Sequence, residues 1–238
     1  MIAKRVREGS NELDILKYLC TIRPQSVHVI SLIDAIPSIT TEWLILPKLH
    51  SIDQWLMNRG GDSGRVRLGW GLVKGLAYLH EHKVAHRDIK PGNLVCDGDF
   101  CLKIIDFDIA IKVQDENTMI DGYRGTENWT APEMGKEDGP RPMYSPIKAD
   151  RWSCGRVLRY HIMVGKGDRR LSRFAEQLMA NDPQQRPSLI EWPWQEMGEV
   201  DGESMKLPVA KRPKLAVFER AVQLQPELYG HTSRPMVA

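Results

Sequence analysis

Residues 85–110 read AHRDIKPGNLVCDGDFCLKIIDFDIA, a run in which the apolar pairs LV, CL and II lie among charged and polar side chains. The polar side chains that stand out are Asp88, Lys90, Asn93 and Asp106. A buried charge costs several kcal/mol unless it is paired or binds a metal. The stretch therefore predicts either a solvated loop or a cleft in which a bound group compensates these charges.

The composition of the chain is that of an ordinary globular protein. Its 238 residues suffice for one sizeable domain or for one domain of two lobes. Lys and Arg number 33 against 31 Asp and Glu, and a net charge of only +2 does not indicate a nucleic-acid-binding protein. The four cysteines form no CxxC pair, which favours reduced thiols of an intracellular protein over a zinc site or a disulfide framework. The N-terminus lacks a signal-peptide pattern, and no run of about 18 apolar residues predicts a membrane span.

Apolar periodicity predicts a strand-rich N-terminal part followed by a helical body, with a cleft between two lobes. Residues 193–238 lose this periodicity and are rich in Gly, Pro and charge, so we expect a loosely ordered tail. The predicted strands cover 2–6, 28–35, 42–46, 94–96 and 102–105, and the predicted helices start at 10–11 and cover 51–58, 66–82, 149–164 and 169–180.

Five motifs, in the correct order, resemble those of the eukaryotic protein kinases of the serine/threonine type. They are HRDIKPGN (86–93), DFD (106–108) in place of DFG, GTENWTAPE (125–133), DRWSCG (150–155) and DPQQRPS (182–188). The resemblance covers residues 1–192. It implies an α+β, protein-kinase-like two-lobe fold, with a truncated strand-rich small lobe over 1–47 and a mainly helical large lobe over 48–192.

The resemblance also implies transfer of a phosphoryl group from ATP, with Mg²⁺, to a serine or threonine hydroxyl of a protein substrate. Asp88 would accept the proton of that hydroxyl, and Lys90 would contact the transferring phosphate. Asn93 and Asp106 would supply the hard oxygen ligands that suit Mg²⁺. In this interpretation, metal and phosphate compensate the charges of the cleft.

The N-terminal motifs of this family are only partly present. Lys4 matches the lysine that contacts the ATP phosphates, and Glu12 matches the helix glutamate that pairs with it. The glycine-rich phosphate loop, which precedes this lysine in the family, is absent from the sequence. The chain is therefore either a fragment or a protein that works without this loop over the nucleotide. Asp108 replaces the glycine of DFG. Glycine permits backbone angles that most other residues resist, and aspartate tolerates them better than most.

Structural roles are implied for five further residues. Thr130 would pack against the catalytic aspartate and lysine, Asp150 would hold the backbone of the catalytic loop, and Glu133 would form a buried ion pair with Arg186. Arg87 belongs to the type that binds a phosphate on the activation segment. The candidate acceptors of that phosphate are Thr118, Tyr123 and Thr126, with Asp121 as an alternative source of permanent negative charge.

Several alternatives stay open at the level of sequence. A non-catalytic binding scaffold, or pseudokinase, is compatible with the missing glycine-rich loop. A small-molecule kinase on the same fold is the third alternative, although the GTENWTAPE segment favours a protein substrate. The cluster KRPK at 211–214 is either a nuclear import signal or a solvated basic patch, so the expected location is the cytoplasm or, with import, the nucleus.

Overall fold

The computed structural model describes residues 1–38, 41–59, 61–99, 101–136, 138–162 and 168–191. The predicted loosely ordered tail at 193–238 lies outside these described residues. None of the helices among them combines the length and the apolar character that a membrane crossing requires.

The N-terminal part is a three-stranded antiparallel sheet with one helix. It contains β1 (Ile2–Arg5), α1 (Glu12–Thr21), β2 (Asp34–Pro37) and β3 (Glu42–Leu46). The central strand is β3, which pairs with β1 and β2 and places Leu44 opposite Lys4. The register fixes Lys4 at the middle of β1, on an edge strand whose side chains are mostly exposed.

The strand predicted over 28–35 is wrong in its first half, because that backbone pairs elsewhere. His28 accepts a hydrogen bond from the amide of Ile104 at 2.9 Å, and the amide of Ile30 donates to Ile104 at 3.0 Å. This segment therefore runs beside a strand of the helical part, and only Asp34–Pro37 joins the N-terminal sheet.

The remaining elements form a mainly helical body with short two- and three-stranded sheets. Three short 3₁₀ turns and one π-helical turn complete it, and the mixture confirms the predicted α+β class. The elements are β4 (His50–Ser51), α2 (Ile52–Arg59), α3 (Asp62–Glu81), β5 (Val84–Ala85), a 3₁₀ turn (Pro91–Asn93), β6 (Leu94–Cys96), β7 (Leu102–Ile104), β8 (Ile111–Lys112), a 3₁₀ turn (Pro132–Met134), α4 (Pro146–Val157), a π turn (Leu158–Ile162), α5 (Arg169–Leu178) and a 3₁₀ turn (Pro183–Gln185).

Helix α3 packs one apolar stripe into the core, at the spacing that the sequence predicts. The glycines of α3 allow neighbouring backbone to come close: a Cβ at Gly75 would lie 2.7 Å from the carbonyl oxygen of His28. The fully buried stripe consists of Leu68, Leu72, Leu76 and Leu79. The same core cluster includes Leu16 of α1 and Leu44 of β3, so both parts of the chain share one apolar core.

Helix α4 lies in the centre of the helical body. Ser145 caps its N-terminus by accepting a hydrogen bond from the amide of Lys148, and every residue of the helix except Arg156 is buried. Three of the buried side chains carry charge: Lys148, Asp150 and Arg151. Since buried charges require partners, the loops that surround α4 have to supply them.

Candidate active site

The loop that follows β5 is held by a buried carboxylate of α4. Asp150, which is 1% exposed, accepts hydrogen bonds from the backbone amides of His86 (2.6 Å) and Arg87 (2.8 Å). The side chain of His80 lies 3.3 Å from the same carboxylate, and burial lowers the pKa of this histidine. Arg87 has a φ of 69°, a backbone conformation that these two amide bonds stabilise. The loop is thereby fixed directly before Asp88.

The carboxylate of Asp88 lies at the centre of a compact polar cluster. Its Oδ2 is 2.7 Å from the ammonium of Lys90, and its Oδ1 accepts a hydrogen bond from the hydroxyl of Thr126 at 2.8 Å. Lys90 also donates to the Thr126 hydroxyl at 2.6 Å. The amide nitrogen of Asn93 donates to the Asp88 carbonyl oxygen at 2.9 Å and to Oδ2 at 3.1 Å. Both oxygens of the carboxylate are therefore oriented by fixed donors.

The threonine of this cluster is not the one that the sequence analysis selected. Thr126, not Thr130, bonds to Asp88 and Lys90, while the hydroxyl of Thr130 lies 3.3 Å from that of Tyr123. Gly125 makes the approach possible: its φ is +113°, and a Cβ there would lie 2.8 Å from the carbonyl oxygen of Arg87. The glycine that directly precedes Thr126 was the signal in the sequence that could have identified it.

Lys4 lies among three carboxylates that come from different elements. Its ammonium is 2.6 Å from Glu12 of α1, 2.6 Å from Asp106 after β7, and 3.4 Å from Asp108. Burial alone would lower the pKa of Lys4, but the hydrogen bonds with Asp106 and Glu12 outweigh it and raise that pKa. Burial also raises the pKa of Glu12, despite the opposing effect of Lys4. The sheet, α1 and the loop after β7 thus meet at one ammonium group.

Asp108, which stands in the glycine position of the DFG motif, is part of this network. It accepts a hydrogen bond from the Ser10 hydroxyl at 3.0 Å and pairs with Arg7 at 3.1 Å. Burial acts to raise its pKa, yet the hydrogen bond with Glu12 and the charge of Lys4 bring that pKa below its usual value. Asp108 has no positive φ, so it replaces glycine without backbone strain, and its charge is compensated by cations of the N-terminal part.

The residues expected to bind Mg²⁺ offer the donors that this ion prefers. The amide of Ile105 donates to the carbonyl oxygen of Asn93 at 3.0 Å, which places Asn93 beside the chain that leads into Asp106. Glu12, Asp106 and Asp108 have carboxylate oxygens that lie within 4.8 Å of one another. Carboxylate oxygens that lie this close together fit a hard divalent cation.

Two further predicted residues form an ion pair below the site. The guanidinium of Arg186, whose side chain is fully buried, binds both carboxylate oxygens of Glu133, at 2.5 and 2.8 Å. Arg186 also donates to the carbonyl oxygens of Ala180 and Lys148, each at 2.9 Å. A bidentate pair with additional backbone acceptors compensates a buried guanidinium well, so the segment around Glu133 is tied to α4 and to the turn after α5.

A known protein family matches the part of the chain that contains Lys4, Asp88 and Asp106. The sequence model described as the protein kinase domain matches residues 4–167, which is more than half of the chain. The chain belongs to the protein kinase family. The resemblance that the sequence motifs indicate is therefore confirmed.

Curated kinases of the serine/threonine type are similar to this chain over part of their length. "CBL-interacting serine/threonine-protein kinase 8" of Arabidopsis thaliana is 31% identical over 166 residues, or 68% of this chain and 35% of that kinase. "Serine/threonine-protein kinase fused" of Drosophila melanogaster is 31% identical over 70% of this chain and 20% of its own length. "SNF1-like protein kinase ssp2" of Schizosaccharomyces pombe is 37% identical over 44% of this chain and 17% of its own length. The chain therefore spans about a third or less of these kinases.

Proposed function

We propose that this chain is a serine/threonine protein kinase, which transfers the γ-phosphate of ATP, in the presence of Mg²⁺, to a hydroxyl group of a protein substrate. The observation that carries the proposal is the position of Lys4, whose ammonium lies 2.6 Å from both Glu12 and Asp106. Lys4, the proposed contact of the nucleotide, thus touches Asp106, a proposed ligand of the metal. Asp88 and Lys90 are also in contact with each other.

Asp88 is the proposed base. Its carboxylate would accept the proton of the substrate hydroxyl as that oxygen attacks the γ-phosphorus and the bond from this phosphorus to the β–γ bridging oxygen breaks, which releases ADP. A positioned base of this kind contributes roughly 10²–10⁴-fold. Lys90 and Thr126 orient the carboxylate, so the oxygen that takes the proton is fixed before the substrate binds. Lys90 would also stabilise the negative charge of the transferring phosphate by its ammonium group.

Lys4 and the oxygen donors near it would hold the nucleotide. The ammonium of Lys4 would contact the α- and β-phosphates, and Glu12 keeps it oriented toward Asp106. Asn93 and Asp106 would hold Mg²⁺ through their side-chain oxygens. Bound Mg²⁺ supplies neutralisation of the phosphate charge, which is the main requirement of phosphoryl transfer.

The extent of the domain and its location are part of the proposal. We place the kinase domain at 1–192, because Arg186 lies beyond the matched residues 4–167 yet is bound to Glu133 within them. The proposed partner is a protein with a serine or threonine acceptor. An intracellular location, in the cytoplasm or by way of the KRPK cluster in the nucleus, accords with the use of ATP.

The test is transfer of labelled phosphate from ATP to a generic basic protein in the presence of Mg²⁺. We expect transfer by the wild type, its loss in Asp88→Asn, and its retention in Asp99→Asn, which removes an exposed carboxylate from the turn between β6 and β7. If the wild type transfers no phosphate but is stabilised against heat by Mg²⁺ and ATP, the proposal is wrong and a nucleotide-binding scaffold replaces it.

A further inference from the structure

A short acidic turn, residues 115–118, lies in the sequence between Asp108 and Thr126 and is held by its own hydrogen bonds. The carboxylate of Asp115 accepts hydrogen bonds from the amide of Asn117 at 2.8 Å and from the hydroxyl of Thr118 at 3.4 Å. The same hydroxyl accepts one from the amide of Asp115 at 3.1 Å. The acidic turn is therefore a preformed unit that can bind to a surface as a whole.

The surface that the acidic turn contacts contains the two buried cations of α4. Arg151 pairs with the carboxylate of Glu116 and donates to the carbonyl oxygen of Arg186 at 3.3 Å. Lys148, which is 3% exposed, donates to the side-chain oxygen of Asn117 at 2.9 Å and to that of Gln184 at 2.5 Å. Each buried cation thus takes one acceptor from the acidic turn. Detachment of the turn would remove one acceptor from both cations, which is unfavourable for buried charges.

The contact continues along the chain toward Asp88. The hydroxyl of Ser145 donates to the carbonyl oxygen of Glu116 at 2.6 Å. Ile120 and Tyr144 exchange two backbone hydrogen bonds, at 3.0 and 2.9 Å, and the hydroxyl of Tyr144 lies 3.3 Å from the carbonyl oxygen of Gly122. From Gly122 only three residues lead to Thr126. The position of the acidic turn therefore limits where Thr126 can lie.

The side chain that would otherwise be expected to bind a phosphate already has two acceptors inside the chain, although its buried Nε has no partner. The guanidinium of Arg87 donates to the carbonyl oxygen of Ile109 at 3.3 Å and lies 3.4 Å from the hydroxyl of Tyr144. Of the candidate acceptors, Thr118 is bonded within the acidic turn and Thr126 is bonded to Asp88. Among the residues that the structure describes, Asp121 forms no ion pair, so the charge that anchors the segment belongs to Glu116.

We propose that Glu116 is a positioning residue: its pairing with Arg151 holds residues 115–126 where Thr126 reaches Asp88, so that this segment needs no phosphate. This inference rests on the proposed kinase function, which it extends to the regulation of the same site. The Glu116 carboxylate, paired with the buried Arg151 guanidinium, orders the segment as a phosphate paired with an arginine orders a phosphorylated loop.

The experiment compares the phosphatase-treated wild type with Glu116→Gln and with Asp121→Asn, a matched loss of one carboxylate from the same segment. Hydrogen exchange at the amides of Ile120 and Tyr144 reports the position of the segment without reference to activity. We expect protection of both amides in the wild type and in Asp121→Asn. In Glu116→Gln we expect exchange roughly tenfold faster, the lower end for a hydrogen bond to a charged group, because Glu116 is partly exposed.

Phosphate transfer is measured on the same three proteins. We expect kcat to fall in Glu116→Gln while KM for ATP stays unchanged, because the contacts of Lys4 are untouched. Equal exchange in all three proteins would overturn the inference, as would a wild type whose transfer activity disappears on phosphatase treatment. Absence of transfer before phosphatase treatment, with exchange as expected, would contradict the kinase function itself, so the two failures are distinguishable.

Discussion

The hydroxyl of Thr126 donates a hydrogen bond of 2.8 Å to the carboxylate of Asp88, 38 positions earlier in the chain. The same hydroxyl accepts a bond from Lys90 at 2.6 Å, so one threonine joins the proposed base to the proposed phosphate contact. Two segments that are far apart in the sequence are thereby coupled at the carboxylate that would take up the proton.

The first prediction concerns this hydroxyl group. Thr126→Val keeps the shape of the side chain but removes the donor to Asp88, so we expect kcat to fall by roughly 10–100-fold, as for a hydrogen bond to a charged group. Thr130→Val is the matched control and should change kcat by less than about threefold, because its hydroxyl contacts Tyr123 instead. Steady-state kinetics on both variants decides the matter, and equal losses would contradict the assignment of Thr126.

The second prediction concerns the ammonium of Lys4. Lys4→Met removes the partner of Glu12 and Asp106, so the rise in melting temperature caused by Mg²⁺ and ATP should disappear. Lys17→Met, at an exposed position of α1, should keep it. A thermal-shift titration with the nucleotide measures both. An unchanged shift in Lys4→Met would mean that the nucleotide binds without this lysine.

The third prediction concerns the ion pair below the site. Glu133→Ala leaves the buried guanidinium of Arg186 with backbone acceptors alone, and removal of one partner of a buried pair costs about 3 kcal/mol of unfolding free energy. Urea denaturation should show this loss. Glu127→Ala, at an exposed position between Thr126 and Glu133, should stay within about 0.5 kcal/mol of the wild type. Similar losses in both variants would show that the ion pair of Glu133 and Arg186 does not contribute specifically to the free energy of unfolding.

The fourth prediction concerns pH. Burial lowers the pKa of His28 from 6.5 to about 4, and its Nδ1 lies 2.9 Å from the carbonyl oxygen of Leu102. The unfolded chain therefore takes up a proton at a higher pH than the folded one. The contribution of His28 to stability is complete above pH 6.5 and is lost as the pH falls toward 4, by about 3 kcal/mol in total.

His28→Asn tests this dependence, because the asparagine amide can donate to Leu102 but does not titrate. Denaturation curves between pH 7 and pH 4 should show a smaller loss of unfolding free energy in the variant than in the wild type. If the two curves run parallel over this range, His28 does not contribute to the pH dependence.

The sequence was sufficient to predict which side chains lie together where they belong to one local motif. Asp88, Lys90 and Asn93 lie within a stretch of six residues, and the structure brings them together. Asp150 and the pair of Glu133 with Arg186 were placed by motifs as well, although their contacts are long-range. The overall α+β class was likewise predictable, since the resemblance to the protein kinases implies it.

The sequence was insufficient where tertiary contacts decide. The segment 28–30 has a strand-like composition, but its partner is Ile104 and not the N-terminal sheet. Thr126 and Thr130 are both threonines of one motif, and it is the close approach of the Gly125 backbone to Arg87 that brings Thr126 beside Asp88. The pairing of Glu116 with Arg151 joins residues 35 positions apart and has no local signal at all.

Helix α4 is buried along almost its whole length, and its three buried charged side chains hold two different loops. Asp150 holds the loop before Asp88, and Lys148 and Arg151 hold the acidic turn. Because an interior helix opens only when the surrounding core opens, these loops and the core form one cooperative unit. On gradual heating, the structure of the site and the helical body should therefore be lost in a single unfolding transition, with no intermediate that is folded but has lost the site.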